Sequence, residues 1–139
     1  FAFDSLMLND DERGDQPRLL ATDTAMVEPV NTTVRVIVTG ADVLHSWAMP
    51  AFGVKMDAVP GRLNETWFRA EKTGTYYGQC SELCGIRHAF MPIRVEVVEP
   101  DAFASWVVEA QAEYAQYETG KDMLADAGTL NKQTETGAR

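Results

Sequence analysis

The sequence is poor in several things that would otherwise set its class. No stretch approaches the roughly 18 consecutive apolar residues of a membrane-spanning helix. Neither the N-terminus nor any other stretch reads as a targeting peptide. Basic residues are scarce, with 12 Lys and Arg against 21 Asp and Glu and a formal net charge of -9. That balance argues against nucleic acid as a partner and favours a basic one. No internal repeat is visible. Hydrophobic residues make up 45% of the chain and charged residues 24%, the composition of an ordinary globular protein. A chain of 139 residues has single-domain length and can bury a core of moderate size.

Cysteine and histidine are scarcest of all, two of each, yet they are not scattered. The segment Cys80-Ser-Glu-Leu-Cys84-Gly-Ile-Arg-His88-Ala-Phe-Met91 holds both cysteines, one histidine and a methionine. The other histidine, His45, stands upstream in Asp42-Val-Leu-His45-Ser-Trp47. Two cysteines in an oxidising compartment can pair as a disulfide, but a disulfide does not account for His88 and Met91 at fixed offsets. His45 taken alone is more often a core histidine with its hydrogen bonds satisfied; its companions reverse those odds.

Two thiolates, two imidazoles and a thioether form a soft N/S donor set suited to copper electron transfer. Structural zinc takes four Cys or His ligands and has no use for a thioether. Cysteines four apart can place both sulfurs on one side of a tight loop, with the intervening carbonyls available as further ligands. Two sulfurs serving five or six donors suggest a shared pair of metals. A single blue-copper site uses one Cys, two His and a Met and leaves a cysteine over.

The remaining chain reads as mainly β. Thr32-Thr-Val-Arg-Val-Ile-Val-Thr39 is β-branched and alternating, the strongest strand signal. Further strands are expected at Arg18–Asp23, Glu65–Ala70, Gly74–Gly78 and Ile93–Val98. Asn9–Pro17 is polar and turn-forming, hence an exposed loop. Short strands at close spacing suggest a Greek-key sandwich or barrel. After Pro100, residues Phe103, Trp106, Val107, Ala110 and Tyr114 recur at helical spacing, which predicts an amphipathic helix to about Thr119. The organisation expected is a domain over 1–99, a helix over 100–119 and a polar tail over 120–139.

C-x3-C-x3-H-x2-M, met here as Cys80, Cys84, His88 and Met91, resembles the dinuclear copper A loop of cytochrome c oxidase subunit II. Three longer segments resemble that family in order and spacing: Asp42-Val-Leu-His45-Ser-Trp47-Ala-Met-Pro50, Lys55-Met-Asp57-Ala-Val-Pro60-Gly-Arg62-Leu-Asn64 and Tyr77-Gly-Gln-Cys80-Ser-Glu-Leu-Cys84-Gly. Nitrous oxide reductase carries a similar copper loop without the Gln-Cys-Ser-Glu-Leu-Cys-Gly wording. A copper chaperone or storage domain is the rival of a different class.

The resemblance implies a cupredoxin-like fold with a C-terminal helix and an electron relay from cytochrome c to haem in subunit I. It implies that His45, Cys80, Cys84, His88, Met91 and the Glu82 carbonyl hold the copper pair. It implies that the Glu82 carboxylate binds magnesium towards subunit I, and that Lys55 and Asp57 face that subunit. Asp4, Asp23 and Asp42 match positions of the acidic surface that receives cytochrome c. Trp47, Trp67 and Trp106 read as core or interface aromatics. Family members begin with two transmembrane helices and an aromatic-rich strand that precede the segment seen here as Phe3-Asp4. Three explanations compete. This chain is an expressed fragment, or the upstream part belongs to the same polypeptide but lies outside this numbering, or subunit II is split and a separate polypeptide supplies them. The split is the favoured expectation. The place implied is the intermembrane-space side of the mitochondrial inner membrane, or the periplasmic side of a bacterial plasma membrane.

Overall fold

The computed structural model describes residues 1–115, in two compact units: Asp4–Trp106, and Phe1–Phe3 with the chain from Val107. The expected tail over 120–139 lies outside the described residues. Among the described residues no helix is long and apolar enough to cross a membrane.

The larger unit is built on seven strands: β1 Met26–Pro29, β2 Thr33–Val38, β3 His45–Met49, β4 Val54–Ala58, β5 Asn64–Arg69, β6 Gly74–Cys80 and β7 Pro92–Val98. A five-stranded sheet runs in the order β1-β7-β6-β3-β4, and β2 pairs antiparallel with β5 in a second sheet. Only β1 with β7 is parallel among the pairs of the first sheet. Strand β4 runs beside β5, so the two sheets curl towards each other as a half-barrel. The alternation read in β2 appears as exposed Thr33, Arg35 and Ile37 against inward Val34, Val36 and Val38, because successive side chains of a strand face opposite ways.

Met49, Val95 and Val97 of the five-stranded sheet meet Val30 and Ala70, which directly follow β1 and β5, in the core. Each large aliphatic side chain removed from water there contributes roughly 1.5–3 kcal/mol. Trp47, Phe52 and Phe68 stack along the edge of this core, with ring centroids 6.2 Å apart for Trp47–Phe68 and 4.4 Å for Phe52–Phe68, and Tyr76 lies tilted against Phe52 at 4.8 Å. Trp47 and the exposed Trp67 thus differ: the first packs on the core, the second lies outward on β5, 67% exposed.

The expected strand over Arg18–Asp23 is a correction. Residues 18–20 form turns, Leu19 has a left-handed φ of 67°, and only Thr22 makes an isolated bridge, to Met7. Its Leu-Leu pair imitates a strand, but the polar Asn9–Pro17 loop runs straight into it and the chain is still turning. The helix α1 spans Pro100–Glu113. Phe103, Trp106, Val107, Ala110 and Tyr114 are half-buried or buried while Val108 is exposed, so the predicted face is the sheltered one. Phe103 and Trp106 stack at 5.9 Å in the larger unit. In the smaller unit the ring of Phe1 stacks on Tyr114 at 6.1 Å and that of Phe3 lies tilted against it at 5.0 Å.

Candidate metal centre

Adjacent strands bring the two halves of the donor set together. β3 opens on His45 and pairs antiparallel with β6, which ends on Cys80; Trp47 stands opposite Cys80. The loop from Ser81 to Met91 joins β6 to β7. It is clasped at its base by Cys80 N–H donating to the Met91 carbonyl at 3.0 Å. Ser81 N–H donates to the Ser46 carbonyl at 3.0 Å, which ties the loop to the strand that carries His45. A single 3₁₀ turn over His88–Phe90 then turns His88 and Met91 back towards the cysteines.

Gly78 makes the strand approach possible. A Cβ there would lie 2.0 Å from the Ala48 carbonyl oxygen of β3 and 3.1 Å from the Met49 Cε. Any side chain at this position would drive β3 away from β6, and His45 from Cys80 with it.

The resulting geometry gathers all six expected donors. The two sulfurs, Cys80 Sγ and Cys84 Sγ, are 3.9 Å apart and both thiols are free. Cys80 Sγ is 3.9 Å from His45 Nδ1 and 3.3 Å from the Glu82 carbonyl oxygen. Cys84 Sγ is 3.7 Å from His88 Nδ1 and 3.5 Å from Met91 Sδ. The ligand atoms of His45, Cys80 and Cys84 all lie within 4.8 Å of one another. The site grades from inside to outside: Cys80 is buried, His45, Cys84 and His88 are half-buried, and Met91 is exposed.

The electrostatics set the two thiols apart. Burial pushes the Cys80 thiol up, but hydrogen bonds from Glu82, Ser46, His45 and His88 outweigh it and bring it down to about 6. Burial and the neighbouring Cys80 raise Cys84. The His45 imidazole is raised by its bond to Asp42, and Asp42 is correspondingly lowered by His45. A sulfur held largely as thiolate beside a second one is ready for a soft cation, since the thiolate is the metal-binding form.

The remaining predicted residues fall elsewhere. Asp42 is 2.7 Å from His45 Nε2, so the structure joins it to the site; the Asp-x-x-His spacing was the signal, and only the turn preceding β3 gives it meaning. Asp4 is exposed, and its backbone carbonyl accepts from Thr24 Oγ1. Asp23 is exposed but occupied: it accepts from Leu6 N–H and Thr24 N–H, each at 2.7 Å. Lys55 and Asp57 lie on the edge strand β4, 3.4 Å apart and 53% exposed each. An open cleft of about 500 Å³ reaches the site between Leu6, Met7, Asp42, His45, Cys80 and Met91.

A family model described as cytochrome c oxidase subunit II, periplasmic domain, matches residues 1–98. The chain belongs to this family. It is 69% identical over 93 residues to cytochrome c oxidase subunit 2 of Cereibacter sphaeroides, covering 67% of this chain and 31% of the relative. It is 53% identical over 120 residues to a probable cytochrome c oxidase subunit 2 of Rickettsia bellii, covering 86% and 45%. The chain thus spans less than half the length of these curated relatives. The crystal structure of the periplasmic domain of subunit II (CoxB) of Bradyrhizobium japonicum superimposes with a TM-score of 0.75 at 64% identity, covering 80% of this chain and 78% of that one. The cupredoxin-like fold that the resemblance implied is the fold of this chain.

The donor chemistry of the site fits the copper pair of that family: two sulfurs close enough to be shared, an Nδ1 beside each, and a thioether and a carbonyl as weak donors.

Proposed function

We propose that this chain is the copper-bearing, electron-accepting domain of a cytochrome c oxidase subunit II. The observation that carries the proposal is the convergence of Cys80, Cys84, His45 and His88, with Met91 and the Glu82 carbonyl at the sulfurs. These six residues would hold the copper A pair. When bound, that pair supplies a one-electron centre whose two metals share the change in charge. The protein's part is to hold the donors so that little moves: the loop clasp at Cys80–Met91 and the Ser81–Ser46 tie fix the frame on which the donors sit. Low reorganisation follows from that rigidity.

By the same reading cytochrome c is the donor, docking on a surface that includes Asp4, Asp23 and Asp42. Subunit I receives the electron and lies against Lys55 and Asp57, with magnesium on the Glu82 carboxylate. The membrane helices belong to the remainder of subunit II, on this polypeptide or a separate one. The solved relative described as periplasmic, at 64% identity, supports the periplasmic side of a bacterial plasma membrane as the location. A second solved relative, also 64% identical with a TM-score of 0.67, was trapped as a mixed disulfide with a thioredoxin-like protein. That supports a thioredoxin-like protein as a further partner, one that forms a mixed disulfide with Cys80 or Cys84.

Metal analysis and electron paramagnetic resonance of the copper-loaded domain test the main reading. The expected result is two coppers per chain and hyperfine coupling to both nuclei. One copper, or zinc, per folded chain overturns it.

A further inference from the structure

Asp42 occupies two places at once. Its Oδ1 is 2.7 Å from His45 Nε2, and the other nitrogen of that ring, Nδ1, is 3.9 Å from Cys80 Sγ. The imidazole is nearly covered, 17% exposed, while the aspartate side chain is 71% exposed. The other two aspartates of the expected docking surface are built differently: the Asp23 carboxylate is occupied by Leu6 and Thr24, and Asp4 is bonded, among the described residues, through its backbone carbonyl. One carboxylate therefore touches both the solvent and the far side of a metal-facing ring.

We propose that Asp42 is a positioning residue that couples the outer surface to the site: its carboxylate fixes His45 with Nδ1 towards the sulfurs, and a cationic group docked on Asp42 from outside weakens that hold. The proposal rests on the copper reading for its consequence but not for its geometry. A carboxylate accepting from Nε2–H fixes the tautomer and makes Nδ1 a stronger donor. A lysine or arginine of a partner, drawn in by the net charge of -9, competes for the same carboxylate charge. The imidazole then donates less strongly, which favours the reduced state of whatever it binds. Arrival of a basic electron donor would thus bias the site towards accepting an electron at the moment one is offered.

The experiment begins with the metal-free domain, so that its failure is distinguishable from failure of the copper reading. Nitrogen-15 NMR of His45 should show the Nε2–H tautomer with a slowly exchanging proton, and Asp42→Ala should lose that protection. Tetralysine at low salt should shift the His45 resonances and speed the exchange in the wild type. In Asp42→Asn, which keeps the shape and an acceptor oxygen but not the charge, that response should vanish. For the copper-loaded domain the reduction potential should move upward in Asp42→Asn and on adding tetralysine to the wild type, with no second upward step when both are combined. Equal His45 exchange in wild type and Asp42→Ala, or an equal tetralysine response in wild type and Asp42→Asn, overturns the proposal.

Discussion

Replacing Cys80 or Cys84 by serine exchanges a polarisable sulfur for an oxygen of similar reach. The volume change is small, so the 3.9 Å spacing between the two positions survives while the covalency does not. Each single variant is expected to fold and to lose the two-nucleus hyperfine pattern, binding fewer than two coppers per chain. A serine variant that kept both coppers and the pattern would show that the sulfurs are not the shared donors. A second residue-scale expectation lies away from the site. Glu28, on the outer strand β1 of the five-stranded sheet, is pushed up by burial from 4.5 to about 7. The folded state thus holds this proton more tightly than the unfolded chain does. The contribution to stability is full below the unfolded value and is lost as pH rises through the folded one. Glu28→Gln removes the cost of the buried charge. Discounted for partial exposure, the gain is on the order of 1 kcal/mol at about pH 8 and nothing near pH 4. Urea unfolding at the two pH values checks it; an equal effect at both would detach Glu28 from the pH dependence.

At the scale of elements, the close contact between β3 and β6 is the point on which the site depends. Gly78→Ala places a methyl group against the Ala48 carbonyl, 2.0 Å away before relaxation. Backbone must move, at a cost of about 1–3 kcal/mol. The movement separates His45 from Cys80, so copper affinity should fall together with the urea midpoint. A variant as stable as the wild type with unchanged copper uptake would mean that the strands can part elsewhere. The same elements show what a sequence can and cannot reveal. β2, β5, β6 and β7 were legible because β-branched and aromatic residues dominate them and alternate. β1 was not: Met26–Pro29 is four residues ending in proline, at a sheet edge, with no period to read. β3 was read for its chemistry as His45-Ser-Trp47, which hid that it is a strand. β4 alternates cleanly as Val54, Met56 and Ala58 inward against Lys55 and Asp57 outward, yet its charges drew attention away from its period. The donors themselves were legible because five of the six sit in one twelve-residue loop segment. The bond from Asp42 to His45 was not, since it depends on how the chain turns before β3, and the clearance at Gly78 depends on a strand thirty residues away.

For the molecule as a whole, charge decides how a partner arrives. The excess of acidic residues, a net charge of -9, produces a field that attracts a basic protein before any contact forms. Exposed charges interact over about 8 Å at physiological salt and further at low salt. Steering of this kind raises the association rate and leaves the electron-transfer step within the complex nearly untouched. Cytochrome c should therefore reduce the copper-loaded domain with a bimolecular rate that falls steeply as ionic strength rises. The rate within the preformed complex should stay constant. Asp4→Asn and Asp42→Asn should each slow association at low salt and flatten its salt dependence, because each removes one charge from the proposed docking face. Asp42→Asn should alone also alter the potential, since among the proposed docking carboxylates only Asp42 is bonded to His45. Stopped-flow reduction at a series of salt concentrations separates these effects. A bimolecular rate indifferent to salt would remove the acidic face from the docking mechanism, whatever the copper site does.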